Sequence, residues 1–177
     1  MIIWLLLMLQ AIAGCEGMKS DVFVYIGGEQ TTALSAQKYT LKKFRGRSVA
    51  GIPIPGGRSG SPRYQVQVAS KPQPLAVGES RPLFHLASKT PVERIVAVRL
   101  NKCGKNECFN LYDDGPASIA FVKLDARELG PGCYEFHPER SLSPGEYALV
   151  ILAEDLKPQK IARFVAGPAM PPIEMPK

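Results

Sequence analysis

The sequence predicts an all-β fold, namely an antiparallel immunoglobulin-like β-sandwich with a small basic β-rich N-terminal extension. Short runs of alternating or β-branched residues recur along the chain, and turn residues separate them at intervals of roughly 8–12 residues. Glycine and proline number 16 each among 177 residues, which favours many turns over long helices. No window carries a clean apolar period of 3.6 residues, and residues 125–129 are expected to form one helical turn at most.

The individual strands follow from these local patterns. Residues 63–69, for example, alternate between polar and apolar side chains, as a half-buried strand does. Between the strands lie Asp-Asp-Gly-Pro, Gly-Pro-Gly and Ser-Pro-Gly sequences, which are typical of turns. We expect strands at residues 22–26, 63–69, 81–86, 94–100, 108–112, 118–124, 133–137, 146–152 and 160–165.

The N-terminus, residues 1–15, predicts an export signal. Residues 2–13 form an apolar run broken only by Gln10, which is too short for the roughly 20 residues of a membrane-spanning helix but fits a secretory signal. Ala11-Ile12-Ala13 matches the pattern for cleavage before Gly14. Ile12-Ala13-Gly14-Cys15 resembles a bacterial lipobox, which implies a lipid attached to Cys15 and a membrane as partner. The expected location is therefore the periplasm or outer membrane as a lipoprotein, and otherwise the secreted fraction.

The four cysteines are Cys15, Cys103, Cys108 and Cys133. A polar turn containing Gly104 joins Cys103 to Cys108, and such a turn can bring two cysteines to disulfide distance. With a lipid on Cys15, this disulfide leaves Cys133 as a buried thiol. A zinc site of Cys103, Cys108, Cys133 and His137 is the alternative, but an exported protein favours disulfides. We therefore predict no metal.

Positive charge is concentrated in one interval. Residues 30–78 contain eight basic residues and no acid, whereas the net charge of the whole chain is +6. Within this interval we single out Lys42, Lys43, Arg45 and Arg47 as candidate anion-binding residues. Beyond an export signal, anionic lipid or an envelope glycan is the expected partner, and nucleic acid is not. The alternative is a solvated connection whose charge only maintains solubility.

The motifs of common catalytic and cofactor sites are absent from the sequence. Residues 57–61 approach a Gly-x-Ser-x-Gly motif, but the last glycine is displaced and no phosphate-loop ending follows. His85 alternates with apolar neighbours, which is typical of a residue on a sheet, and His137 precedes a proline at a strand end. We therefore predict no catalytic residue and no cofactor. Paired carboxylates of a hydrolase are not visible in a sequence and stay open.

The segment from Leu142 to Val150 contains Leu-Ser-Pro-Gly-Glu-Tyr-Ala-Leu-Val. It resembles the corner of immunoglobulin-like and fibronectin-like sandwiches, where a tyrosine hydroxyl bonds back to the backbone. This resemblance covers residues 75–167 and implies that Tyr147 is the corner tyrosine. The segment also resembles that of uncharacterised exported bacterial proteins and lipoproteins. That resemblance implies the fold and export, and it implies no activity.

These observations divide the chain into four parts. They are a signal with a lipobox at 1–15, a basic β-rich segment at 16–74, a β-sandwich domain at 75–167 and a proline-rich tail at 168–177. The function predicted is that of an exported, lipid-anchored, noncatalytic protein of the bacterial cell envelope with a binding or scaffolding role. A soluble secreted module that binds glycan or polyanion is one alternative, and a hydrolase of unknown substrate is another.

Overall fold

A computed structural model describes residues 15–28, 30–43, 63–112 and 121–167. Several predicted features lie outside the described residues, namely Arg45, Arg47, the tail at 168–177 and all of the predicted signal except Cys15. The described chain contains fourteen strands and a short 3-10 helix, Val92–Arg94. The strands are β1 (Phe23–Gly27), β2 (Gln30–Ala33), β3 (Tyr39–Lys43), β4 (Tyr64–Val68), β5 (Leu75–Ala76), β6 (Leu83–Ala87), β7 (Ile95–Arg99), β8 (Asn101–Cys103), β9 (Asn106–Leu111), β10 (Phe121–Val122), β11 (Leu124–Gly130), β12 (Cys133–Pro138), β13 (Gly145–Leu152) and β14 (Pro158–Ala166).

The strands form three sheets. The front sheet has the order β11-β12-β6-β1-β2, the central sheet β10-β7-β13-β14-β5, and the back sheet β3-β4-β9-β8. All pairings are antiparallel except that of β5 with β14. The all-β, antiparallel prediction is therefore confirmed, but the immunoglobulin-like arrangement has two sheets and this chain has a third. Residues 125–129, for which the sequence allows one helical turn at most, form no helix, because they lie in β11 and pair with β12.

The central sheet is covered on both faces. Alternate residues of β13 face opposite sides, so Tyr147, Leu149 and Ile151 join the core against the front sheet. Ala148, Val150 and Leu152 join the core against the back sheet. Every residue from Ala148 to Leu152 is fully shielded from solvent. This is why β13 has a continuous apolar sequence where the outer strands alternate.

The front core is rich in aromatic rings. Phe84 of β6 contacts Phe136 of β12 and Phe164 of β14, with ring centroids 5.9 and 5.0 Å apart. Phe23 of β1 meets Phe136 edge-on at 6.0 Å. Since these rings come from the front and central sheets, their packing joins the two layers.

The described parts of the basic segment at 16–74 contain the strands β1 to β4. Its strands do not stand apart, however, because β1 pairs with β6 in the front sheet and β4 pairs with β9 in the back sheet. Residues on the two sides of position 74 consequently share both outer sheets and both cores.

A buried cation also links the central and back layers. The guanidinium of Arg163 on β14 is almost fully buried and donates to Glu146 Oε2 at 2.6 Å and to the carbonyl oxygen of Ala69 at 2.8 Å. Glu146 belongs to β13, whereas Ala69 directly follows β4 of the back sheet. Charge-assisted hydrogen bonds of this kind offset part of the cost of burying the guanidinium.

Because both faces of the central sheet are buried, we predict that truncating a core residue on either face destabilises the protein to a similar extent. Leu149→Ala, on the front side, and Leu152→Ala, on the back side, should each lower the free energy of unfolding by about 2–5 kcal/mol, because each leaves a cavity in a closed core. Chemical denaturation measures the loss. Gln159→Ala, at an exposed position of β14, is the control and should change stability by less than about 0.5 kcal/mol. A loss confined to Leu149→Ala would contradict a back sheet packed on the central one.

Candidate binding surface and disulfides

The outer face of the back sheet carries two rows of polar side chains. In β4 and β9 the apolar residues Val66, Val68, Phe109 and Leu111 face the core, so the residues between them face outward. The strand register places Lys42 opposite Gln65 and Gln65 opposite Asn110 in one row. A second row contains Thr40, Gln67, Cys108 and Asn101. We call these two rows, seven residues in all, the amide face.

Contacts within the amide face orient its side chains. Gln67 Nε2 donates to Gln65 Oε1 at 3.3 Å, which aligns two neighbouring amides along β4. Asn110 Oδ1 is buried and has no hydrogen-bond partner among the described residues. The two rows of the amide face contain one cation, Lys42, and no acid. The nearby Glu107 is not part of these rows, because it lies in register with Val68, which faces the core. The face therefore presents the amides of Gln65 and Gln67 beside one positive charge, whereas the carbonyl oxygen of Asn110 is closed to solvent.

The two predicted anion-binding residues that the structure describes, Lys42 and Lys43, do not share one face of the sheet. Lys42 and Lys43 are both exposed on β3, but the alternation of a strand directs them to opposite sides of the sheet. Lys42 pairs with Gln65 on the amide face, whereas Lys43 is in register with Tyr64, which packs against the back core. Neighbours in sequence are thus separated in space, and only Lys42 belongs to the amide face.

All four cysteines are paired in the structure. Cys103 pairs with Cys108, as the spacing predicts, and the disulfide closes the β8–β9 hairpin with Cα atoms 5.8 Å apart. Gly104 in the turn has φ +69°, a conformation that favours glycine. The second disulfide joins Cys15 to Cys133, also with a Cα separation of 5.8 Å, and the two cysteines are 118 positions apart in sequence.

The Cys15–Cys133 disulfide corrects two expectations from the sequence. Cys133 is not a free thiol. A thioether-linked lipid needs the same Cys15 sulfur that the disulfide uses, so lipid attachment at Cys15 disagrees with this structure. The three cysteines of the zinc alternative are all in disulfides and are therefore not available as thiolate ligands.

Hydrogen bonds hold the segment after Cys15 close to Cys133. The Asp21 amide donates to the carbonyl of Ala87 at the end of β6, and Ser88 Oγ donates to Asp21 Oδ1 at 2.6 Å. The Ser88 amide donates to the carbonyl of Gly132, immediately before Cys133. Gly132 has φ +68°, and a Cβ there would lie 2.9 Å from the Ser88 carbonyl oxygen. Glycine is thus required where the N-terminal segment meets β12.

Both histidines lie on the outer face of the front sheet. His85 on β6 contacts Glu135 Oε2 at 3.1 Å across the strand pair, which matches the sheet position expected for it. His137 lies 3.7 Å from Asp125 and 3.2 Å from Arg81 Nη2. These polar pairs are part of a charged sheet surface, and the two histidines face away from both cores.

A cavity of about 450 Å³ lies between the front and central sheets, next to the 3-10 helix. Its walls are of mixed polarity and include the apolar side chains of Ile95, Val122 and Phe136. Two carboxylates, those of Glu93 and Glu139, line it together with Lys123. Neither histidine lines the cavity.

Comparisons with known proteins find no similarity. No protein-family model matches the chain, and no curated protein or solved structure matches it significantly. Within the described residues, no helix is long and apolar enough to cross a membrane. The resemblance to exported bacterial proteins therefore stays a prediction.

Tyr147 occupies the corner position that the sequence predicts. Its ring is buried, and its hydroxyl donates to the carbonyl oxygen of Ser143 at 2.9 Å, across the turn that precedes β13. The ring also stacks on Phe164 of β14, with centroids 5.6 Å apart. The residue thus connects the turn to the front core.

Tyr147 allows its hydrogen bond and its ring to be separated by mutation. Tyr147→Phe should lower the free energy of unfolding by about 0.5–1.5 kcal/mol, because it removes only the bond to Ser143. Tyr147→Ala should cost about 3–5 kcal/mol, because it also empties part of the front core. Denaturation midpoints measure both. Equal losses for the two variants would show that the ring contributes nothing to the corner.

The two disulfides should differ in their contribution to stability. In the chain-entropy model, removal of Cys15–Cys133 by paired serine substitutions should cost about 5 kcal/mol, and removal of Cys103–Cys108 about 2 kcal/mol, since the loops they close differ greatly in length. Denaturation under nonreducing conditions measures the difference. Peptide mapping of the unreduced protein should give these two cross-links, and a link from Cys133 to Cys103 or Cys108 would contradict the structure.

Proposed function

We propose that the protein is exported to an oxidising compartment and acts there as a noncatalytic binding module. The observation that carries this proposal is the pairing of all four cysteines. Disulfides persist in exported proteins and are rare where cellular thiols are kept reduced. The apolar run at residues 2–13 supports the same conclusion, because it has the length of a signal sequence.

The disulfide at Cys15 favours a soluble exported form. Cleavage before Gly14, at the Ala11-Ile12-Ala13 pattern, leaves Cys15 in the mature chain with its sulfur available for Cys133. Lipid modification would consume that sulfur and leave Cys133 unpaired. The secreted alternative to the lipoprotein is therefore the form that we propose.

The outward faces of the outer sheets support the binding role that we propose. The three sheets enclose two cores, and the outward faces of the front and back sheets contribute little to either. A rigid sheet that is supported from behind can hold polar side chains in fixed positions. The amide face has this support, since the residues that alternate with it are buried in the back core.

Fractionation of a bacterial host that expresses the full chain tests export. We expect a mature chain that begins at Gly14, lies in the soluble periplasmic or secreted fraction and has four sulfurs that react with alkylating reagent only after reduction. Cys15→Ser should be cleaved and released in the same way, but with one reactive thiol at Cys133. A chain that lacks residues 1–13 is the control and should remain in the cytoplasm with reduced thiols.

Two results would contradict the proposal. A full chain that stays in the cytoplasm, uncleaved and reduced, would show that it is not exported. A wild-type chain in the membrane fraction whose Cys15→Ser variant accumulates as a precursor would show lipid attachment instead of the soluble form.

A further inference from the structure

We infer that the amide face binds an acidic glycan, that is, a polymer of hydroxyl-rich sugar rings that carry carboxylate or sulfate groups. This inference rests on the proposed function, because an exported protein is one that meets such polymers. It names the class of ligand and the side chains that recognise it. Three properties of the face support it: the spacing of its rows, the chemistry of its amides and the sign of its charge.

The spacing of the face suits a chain of rings. Neighbouring strands lie about 4.7–4.9 Å apart, so residues directly opposite each other recur at that distance along a row. Lys42, Gln65 and Asn110 form such a row over three strands, and Thr40 and Gln67 begin a second row beside it. This distance is on the scale of one sugar ring, so Lys42 and Gln65 can meet successive groups of an extended glycan, although the carbonyl oxygen of Asn110 is closed to solvent.

Amides match the hydroxyl groups of sugars. A hydroxyl both donates and accepts, and a primary amide offers two donors and a carbonyl acceptor in one plane. The hydrogen bond from Gln67 Nε2 to Gln65 Oε1 fixes the two glutamine amides relative to each other, and it leaves Gln65 Nε2 and Gln67 Oε1 for other partners. Because the glutamines are half-buried between their strand neighbours, they lose less freedom on binding than fully exposed side chains.

Charge selects an acidic glycan over a neutral one. Lys42 is exposed on this face, and its two rows carry no carboxylate that would repel an anion. Sheet pairing keeps Lys42 next to Gln65, so a carboxylate or sulfate at the lysine brings adjacent hydroxyls over the amides. The cation and the amides therefore contribute to the same ligand.

The residue composition of the amide face disfavours two other anionic partners, an anionic membrane and nucleic acid. Each basic residue near an anionic membrane contributes about 1 kcal/mol, so the single lysine of the amide face gives weak attraction to a lipid surface. Nucleic-acid surfaces combine several phosphate contacts with stacked aromatic rings. The tyrosines of β3 and β4, Tyr39 and Tyr64, pack against the back core instead of standing on the amide face.

Binding of the purified, oxidised full chain to defined polymers tests the inference. Calorimetry with a polyuronate, a sulfated polysaccharide, a neutral glucan and vesicles containing anionic lipid separates the possible ligands. We expect binding to one or both acidic glycans, and at least tenfold weaker or no binding to the neutral glucan and the vesicles. The polyuronate and sulfated arms identify which acid the face prefers.

Variants locate the site. Gln67→Glu keeps the size of the side chain but places an acid on the face, and it should weaken acidic-glycan binding at least tenfold. Gln65→Ala should do the same through loss of an amide. Lys42→Gln should weaken binding and reduce its dependence on salt concentration. Lys89→Gln removes an exposed lysine of the 88–90 segment, beside the front sheet, and should leave affinity unchanged. Each variant is first checked for an unchanged denaturation midpoint.

Several outcomes would overturn the inference. These are no binding to either acidic glycan, equal affinity for the neutral glucan, preferential binding to vesicles, or a Lys89→Gln effect as large as that of Lys42→Gln. Unchanged affinity in folded Gln67→Glu and Lys42→Gln proteins would also exclude the amide face. Because binding is measured on purified protein, its failure overturns this inference while the fractionation result still decides whether export is correct.

Discussion

The structure depends on the burial of both faces of β13. Leu149 faces the front sheet and Val150 faces the back sheet, and both are completely shielded from solvent. Full burial of such side chains contributes roughly 1.5–3 kcal/mol each, so loss of either outer layer would expose a row of apolar residues on the central sheet. The two outer layers are therefore required together. The Arg163–Glu146 pair adds a directional contact, because it links β14 and β13 to the backbone at Ala69.

Because the cores lie between the sheets, the outward faces of the two outer sheets can differ in composition. The front sheet presents histidine–carboxylate pairs, in which His85 contacts Glu135 and His137 lies near Asp125. The back sheet presents neutral amides and one lysine. Both faces are held in register by residues buried behind them, and so their side chains can vary without loss of the cores. Function is expected on such faces, and the chemistry of the back one matches hydroxyls and an anion.

The sequence indicated strands more reliably than their arrangement. Alternation in residues 63–69 correctly placed Gln65 and Gln67 on one face, because period two is a local property. The sequence correctly predicted a strand at residues 146–152, but it could not show that two different sheets cover this strand. The sequence did not predict a strand at residues 125–129, because β11 lies at a sheet edge and its mostly exposed, polar sequence carries no strand alternation. The partner of Cys15 lies 118 residues away, and only the fold brings Cys133 to it.

Native-state hydrogen exchange measures most directly whether the three layers form one cooperative unit. Amides of β4 and β9 in the back sheet, of β6 and β12 in the front sheet and of β13 in the centre should all reach protection equal to the global free energy of unfolding. The disulfides remain intact throughout the measurement. The contrary result is that the amides of Val66 and Phe109 exchange through an opening several kcal/mol below the global free energy of unfolding, while those of Leu149 and Phe84 stay protected. That result would contradict the shared central sheet. It would indicate a two-layer sandwich with a loosely attached third sheet.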